Sequence, residues 1–289
     1  MIEAAGQVFE AYRGELCALA YRMTGSRAEA EDLVQEGFVR LHRAAVMPDN
    51  PRAWLYRVVT RLCLDHLKSA RARREVYRGP WLPEPMVEPA GSLADALVER
   101  ADEVTVALLL ALETLSPAAR AAFVLRAAFD VEYAELAETL GRSEAACRQL
   151  VSRARATVQA ARPVERARSA EVERVVAAFF EAVGSGDVEA LAGVLAEDVV
   201  LVTDGGGEVL AVGKPIVGAA RVARVFGAIA RKYPLPASAV VRPARINGLP
   251  GVVVMEGGRC VQTLAVEVRG GKVVRVLGVR SPSKLARVG

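Results

Sequence analysis

Histidine is almost missing from this sequence: its 289 residues include only His42 and His66. The four cysteines, Cys17, Cys63, Cys147 and Cys260, are scattered without a close pair, and neither histidine stands at ligand spacing from any of them. Reduced core thiols are therefore expected rather than a zinc site or disulfides, and no metal or cofactor is expected. A surface thiol acting as a redox sensor stays open. Long hydrophobic runs are lacking too, the longest apolar stretch, Val106 to Leu112, being far too short to span a bilayer. Met1 to Arg13 carries Glu3 and Glu10 where a secretory leader would be basic and then apolar, so a cytoplasmic protein without a membrane partner is expected. Aromatic residues make up only 5%, yet apolar residues reach 52%, ample for the cores of two or three domains.

A net charge of +4 is modest for a protein that binds nucleic acid, but the charge is segregated. Residues 1–51 hold five Lys/Arg against eight Asp/Glu, and residues 52–78 hold eight against two. Residues 79–144 hold four against twelve, and residues 145–162 hold four basic groups and no acidic one. Two basic patches flanked by acidic segments suit a chain that grips phosphates at two places without sticking to DNA indiscriminately.

Helical periodicity is clear on both sides of residue 50. Ala28 to Arg43 sets Leu33, Val34, Phe38 and Leu41 on one stripe, and Asp32, Glu36 and Arg40 on another at i, i+4, i+8. The next helix begins at Pro51, a first-turn position, and carries its basic residues interleaved with aromatics through Arg74. Either helix alone also reads as part of an ordinary helical pair with solvated charged faces. Taken in order, they resemble regions 2.1 to 2.4 of the extracytoplasmic-function (ECF) sigma factors of the sigma-70 superfamily, in which an acidic "AEDLVQE" helix precedes a "WL" and Asp-plus-arginine helix. The resemblance implies that Asp32, Gln35, Glu36 and Arg40 meet core RNA polymerase. It implies that Arg52, Trp54, Arg57, Arg61 and Asp65, with Lys68, Arg71, Arg73 and Arg74, engage the −10 element of opened promoter DNA. One departure stands out: Arg61 occupies the position four before Asp65 where the family commonly has Asn.

Val131 to Arg155 reads as helix, tight turn, helix. Gly141 ends the first helix and Ser143 can cap the second; Ala137, Gly141, Cys147 and Leu150 supply the small and apolar residues that a close helix-turn-helix crossing needs. With Cys147, Leu150 and Val151 inward, Ser143, Glu144, Arg148, Gln149 and Ser152 face out, with Arg153 and Arg155 along the flank, able to reach base edges and phosphates. A surface helix of a bundle is the plainer alternative. The segment is similar to region 4 of the same family, which reads the upstream (−35) element. Val104 to Leu115 and Pro117 to Phe129, the latter opening with Ser116 as cap, complete a small helical domain.

Between the patches, Gly79-Pro-Trp-Leu-Pro-Glu-Pro85 cannot continue a helix and favours an extended, stiff path. In the family the corresponding linker runs through the polymerase toward the RNA exit path; Trp81 reads best as a packing anchor against a neighbouring domain. After Pro163 the pattern changes. Helices are expected over Ala170 to Val183, Val188 to Leu195 and Ala219 to Lys232. Strands are expected over Val199 to Val202, Val209 to Val212, Val240 to Ile246, Val252 to Glu256, Cys260 to Arg269 and Val273 to Arg280. A helical layer on a curved antiparallel sheet follows. This order is similar to the SnoaL-like, nuclear-transport-factor-2-like cone, and a sigma subgroup carries such a domain after region 4, with "DGGG" and "NGxPG" motifs. Both motifs occur here, at Asp204 to Gly207 and Asn247 to Gly251.

The expected fold is thus multidomain. Two all-α sigma domains, 1–76 (region 2) and 104–162 (region 4), are joined by a Pro-rich acidic linker, 77–103, and followed by an α+β SnoaL-like cone, 170–289. The expected function is that of an alternative sigma factor, a transcription initiation factor with core RNA polymerase and promoter DNA as partners, regulated in cis by its C-terminal domain. The alternatives are a ligand-responsive helix-turn-helix regulator acting without polymerase, and a SnoaL-type isomerase or cyclase fused to a DNA-binding module. Catalysis is not expected, because beyond residue 163 there is no histidine and Tyr233 is the only tyrosine. The carboxylates Asp187, Asp198, Asp204 and Glu208 fall at helix starts, strand ends or turns. From residue 163 onward seventeen Lys/Arg face twelve Asp/Glu, a balance opposite to that of the linker, so the cone is expected to dock on the linker and first part of region 4. Trp81, Asp204, Gly205, Gly206, Asn247 and Pro250 are the candidate regulatory contacts, with tight turns required by the strands as the equal alternative for the glycine-rich pair. A small-molecule ligand of the cone stays open.

Overall fold

The structure is a computed structural model that describes residues 2–44, 46–74, 79–89, 105–161 and 169–288. The chain divides into two compact units, one formed by residues 1–76 and 107–162, the other by residues 77–106 and 163–289.

The first unit is all helical: α1 (Ile2–Thr24), α2 (Arg27–His42), α3 (Pro51–Arg74), α4 (Val106–Glu113, whose first residue belongs to the second unit), α5 (Pro117–Ala128), α6 (Tyr133–Leu140) and α7 (Glu144–Ala161). Side-chain caps start α2, α3 and α5. Ser26 Oγ accepts from Glu29 N (3.2 Å), Asn50 Oδ1 from Ala53 N (3.0 Å) and Ser116 Oγ from Ala119 N (3.3 Å), each satisfying an amide that the first turn leaves without a partner. Leu16, Leu19 and Met23 of α1, Val34 of α2 and Leu55 and Val59 of α3 are buried, as are Leu112, Leu125 and Leu136 of the later helices. A Cβ at Gly37 would lie 3.0 Å from Val59 Cγ2, so glycine there permits the close approach of α2 to α3.

The second unit holds β1 (Val87–Pro89), α8 (Ser169–Ser185), α9 (Val188–Val194), β2 (Leu195–Asp204), β3 (Ile216–Val217), α10 (Ala219–Lys232), β4 (Val240–Ile246), β5 (Leu249–Glu256), β6 (Arg259–Arg269), β7 (Lys272–Val279) and the short α11 (Pro282–Leu285). The sheet runs β1-β4-β5-β6-β7-β2-β3. Asn247 (φ 47°) and Gly248 (φ 77°) turn β4 into β5 as a two-residue loop, the positive φ pair that a type I′ hairpin demands. Phe179, Leu191, Val222 and Phe226 from the helices pack on Leu201, Leu264, Val266 and Val276 of the sheet, with the Phe179 and Phe226 rings edge to face at 5.8 Å. Strand alternation sends Thr263 and Ala265 to the other side, where Leu82, Pro83 and Pro85 of the linker cover them together with Leu277 and Val279, leaving a space of about 20 Å³. Both faces of the central strands are therefore buried.

Three expectations need correction. The sheet is mixed, because β2 pairs parallel with β7 (Leu201 opposite Val276) after β3, α10 and β4 to β6 have intervened, whereas an antiparallel sheet was expected. Val209 to Val212 is not a strand: Val209 N donates to Gly205 O, Thr203 Oγ1 accepts from Val212 N and Arg280 Nη1 donates to Leu210 O, so its backbone groups serve a loop. The strand in that place is β3, at Ile216–Val217. The linker also contributes a strand of its own, β1, with Val87 opposite Ile246 and Pro89 opposite Ala244.

Candidate nucleic-acid interface and linker seam

On α2, the buried stripe is Ala30, Val34, Gly37 and Leu41, which leaves Asp32, Gln35, Glu36 and Arg40 exposed, with Arg40 Nε bonded to Glu36 Oε1 at 2.9 Å. On α3, Arg52 lies over the Tyr56 ring (4.8 Å) and 3.6 Å from Glu15. Burial, and then the hydrogen bond it donates to Glu15, pushes the Tyr56 phenol well above its ordinary range. Trp54 is half-buried, and Asp65 and Lys68 form an exposed pair at 3.0 Å. Arg71, Arg73 and Arg74 belong to α3 by backbone, and their side chains lie outside the described residues.

Arg57 and Arg61 are not free on that surface. Arg57 grips Glu138 of α6 as a fork, Nη1 to Oε1 at 2.5 Å and Nη2 to Oε2 at 2.8 Å, and Arg61 Nη2 donates to Glu138 O at 3.4 Å. The contact is embedded in a wider seam between α1, α3, α5 and α6: the Tyr56 and Phe129 rings meet edge to face at 5.4 Å, and Arg22 lies over Phe129. The buried Arg120 donates from Nη1 to Met23 O (2.5 Å) and to Glu113 (2.7 Å). Sequence reasoning singled out neither Glu138 nor Arg120; each looks like a routine surface charge on an amphipathic helix, and its partner is far away along the chain.

In the second candidate element, Gly141 (φ 62°) ends α6 and Ser143 Oγ accepts from Ala146 N (3.2 Å) to begin α7. Cys147, Val151 and Ala154 are buried beneath, so Ser143, Glu144, Arg148, Gln149, Ser152, Arg153 and Arg155 are all exposed. The helix is thus apolar inside and polar outside, the pattern that a recognition helix needs. Burial pushes the Cys63 thiol up to about 12 and raises those of Cys17, Cys147 and Cys260, so none of the four is primed as a thiolate.

The linker seam is built around Asp204, which is fully buried. Its Oδ2 accepts from Leu82 N (2.7 Å) and from Lys284 Nζ (2.7 Å), while Oδ1 accepts from Gly206 N (2.9 Å). Lys284 Nζ also donates to Leu82 O (2.6 Å) and sits 4.6 Å from the centre of the Trp81 ring. A Cβ on Gly205 would lie 2.3 Å from Val209 O, and one on Gly206 2.4 Å from Ser281 Oγ, so the turn that presents Asp204 admits no larger residue. Asn247 forms the second clamp: its N donates to Met86 O (2.8 Å), its Oδ1 accepts from Met86 N (3.1 Å) and its O accepts from Val106 N (3.0 Å). Pro250 stands apart from these bonds, in β5 opposite Arg245. Lys284 was missed; the Ser281-Pro282 helix start was the available signal. With both carboxylate oxygens occupied, Asp204 is a structural anchor rather than a base. Glu267, the buried carboxylate of β6, is likewise held by Arg269 (2.7 Å) and Arg275 (3.2 Å). Elsewhere on this unit an open groove of about 570 Å³ runs between β3 and α10, with Arg221 and Arg224 on its wall.

Among the described residues no group of three or more His, Cys, Asp or Glu could hold a metal, and no helix is long and apolar enough to cross a membrane. Residues 8–73 match the family model described as Sigma-70 region 2, and residues 105–158 match that described as Sigma-70, region 4. The first match covers most of α1 to α3 and the second most of α4 to α7. The chain is 38% identical to the ECF RNA polymerase sigma factor SigJ of Mycobacterium tuberculosis, over 96% of this chain and 91% of the relative. It is 37% identical to "Probable ECF RNA polymerase sigma factor SigI" of the same species, over 96% and 93%. The crystal structure of M. tuberculosis SigJ superposes with a TM-score of 0.73 at 36% identity, covering 96% of this chain and 97% of that one. The chain belongs to the ECF RNA polymerase sigma factors of the sigma-70 superfamily. It is of the sigma-J-like form that its linker and glycine-rich motifs resemble, and its C-terminal domain packs a helical layer on a mixed β-sheet.

Proposed function

We propose that this sigma factor directs core RNA polymerase to a restricted promoter set and that its C-terminal cone governs this activity in cis by holding the interdomain linker. The observation that carries the reading is the double clamp on the linker: Asp204 and Lys284 on Leu82, and Asn247 on Met86 and Val106. A linker bonded at both ends to one domain has a set reach between region 2 and region 4, which must span two promoter elements. Releasing the clamp would change which spans are populated. In the same reading Asp32, Gln35, Glu36 and Arg40 of α2 form the polymerase contact. Residues Arg52 to Arg74 of α3 serve the −10 element, and the exposed face of α7 reads the −35 element.

The test is run-off transcription with core polymerase, comparing the full chain, a chain ending at Arg162 and the Lys284→Met and Asp204→Asn variants. Transcription from a target promoter is expected to change while co-purification with core polymerase persists. Equal transcription by all four would make the cone a passenger. Charge reversal at Asp32 and Glu36 should instead abolish co-purification with a fold that remains intact, since both residues are exposed.

A further inference from the structure

Tyr133, the first residue of α6, is half-buried and carries two guanidinium groups on its ring: Arg148 of α7 at 4.5 Å from the ring centre and Arg126 of α5 at 5.2 Å. The two arginines differ in what else holds them. Arg126 is tied down by Asp130 Oδ1 (2.7 Å), Val131 O (3.3 Å) and Glu132 (3.7 Å), so it belongs to the scaffold of the loop between α5 and α6. Arg148 is bonded to Glu144, one turn earlier on its own helix (2.5 Å), and its side chain remains 54% exposed on the outward face of α7. It is the arginine that can reach a ligand.

A free arginine side chain samples many rotamers, and ordering it on binding is costly. A ring beneath the guanidinium removes much of that freedom beforehand. It also does so without consuming hydrogen-bonding capacity, because stacking uses the face of the guanidinium and leaves the N–H edge available. An arginine edge offered from the first turns of a recognition helix matches guanine, whose O6 and N7 accept a bidentate pair. Glu144 holds that edge in the unbound protein and, being itself exposed, can yield it.

We infer that Tyr133 is a positioning residue for base recognition: its ring aims Arg148 at a guanine of the upstream promoter element, and so sets specificity at one base pair without touching DNA bases itself. This rests on the reading of α7 as the −35 recognition helix, and the experiment separates the two.

Holoenzyme reconstituted from core polymerase and the full chain is used to select DNA from a library randomised across the upstream element, followed by competition binding on single-base variants. Arg148→Ala is expected to lose the guanine preference at one position. Tyr133→Leu, which keeps apolar bulk but not the π face, is expected to weaken that same preference about two- to fivefold and leave the other positions unchanged, the size of an exposed cation–π contact. Tyr133→Phe should retain it. If Arg148→Ala leaves every position as in the parent, the recognition reading fails and the inference with it. Should Arg148→Ala lose the preference while Tyr133→Leu keeps it, or Tyr133→Leu weaken all sequences equally, Tyr133 is structural and the inference alone is overturned. A Tyr133→Phe profile as poor as that of Tyr133→Leu overturns it too. If Tyr133→Leu melts early, Tyr133→Gln replaces it under the same criteria, and early melting of both assigns Tyr133 a structural role and overturns the inference.

Discussion

If Arg57 contacts promoter DNA, it must first leave Glu138, and the strength of that grip can be read from its geometry. The pair is a two-bond fork at 2.5 and 2.8 Å, a favourable arrangement, but the side chains are 28% and 58% exposed. Solvent screening at Glu138 holds such a contact to about 1 kcal/mol or less, with the fork geometry favouring the upper end. An energy of about 1 kcal/mol corresponds to roughly a fivefold change in an equilibrium. Glu138→Gln should therefore tighten binding of a non-template-strand oligonucleotide spanning the −10 element by up to about fivefold in fluorescence anisotropy with the full chain. Removing an acidic group from α6 would by itself favour DNA, so Glu135→Gln, which removes a like charge from the same helix, sets the baseline. In an Arg57→Ala background the extra gain from Glu138→Gln should vanish, the signature of a direct pair in a double-mutant cycle. A gain no larger than that of Glu135→Gln, or one that survives loss of Arg57, would refute competition between Glu138 and DNA.

Other outcomes follow from the linker seam and the core. Lys284→Met strands the buried Asp204 carboxylate and should lower the stability of the full chain by about 3 kcal/mol in urea unfolding, with the Asp204→Asn, Lys284→Met pair recovering only part of the loss, because an amide keeps one of the two acceptor oxygens that Leu82 N and Gly206 N use; a single variant no less stable than the parent would contradict the anchor role. Gly206→Ala places a Cβ 2.4 Å from Ser281 Oγ at a φ of 70° and should lower the melting temperature, whereas Gly184→Ala, inside α8 with nothing within 4 Å, should raise stability by about 0.5 to 1 kcal/mol. Native protein treated with iodoacetamide at pH 8 should leave Cys63 unmodified, since burial holds its thiol near 12 and keeps the thiolate scarce, with Cys17, the least buried thiol, labelled first by mass spectrometry.

What the sequence determined alone was everything settled within a turn or two of the chain. Ser116-Pro117 and Ser143 mark helix starts because a cap bonds an amide three residues away, Gly141 marks an end because it adopts the left-handed conformation and donates its N–H to Ala137 O, and the stripe of Val34 and Leu41 against Asp32 and Glu36 follows from helical period. The family was legible for the same reason, its motifs being short and ordered. The sheet was legible where two-residue turns such as Asn247-Gly248 set antiparallel neighbours, and illegible where strands meet after a long detour. The parallel pairing of β2 with β7 depends on which edge is vacant once the hairpins have formed, and β3, two residues long, has no period to read. Asp204 and Asn247 could be named as contact candidates, but Lys284 could not be joined to Asp204 across eighty residues, nor Glu138 to Arg57 across eighty-one, because opposite charges are common on every helix and only the packed backbone selects which two meet. The tertiary structure made that choice, by bringing α6 against α3 and wrapping the linker across the second face of a sheet that would otherwise leave apolar side chains in water.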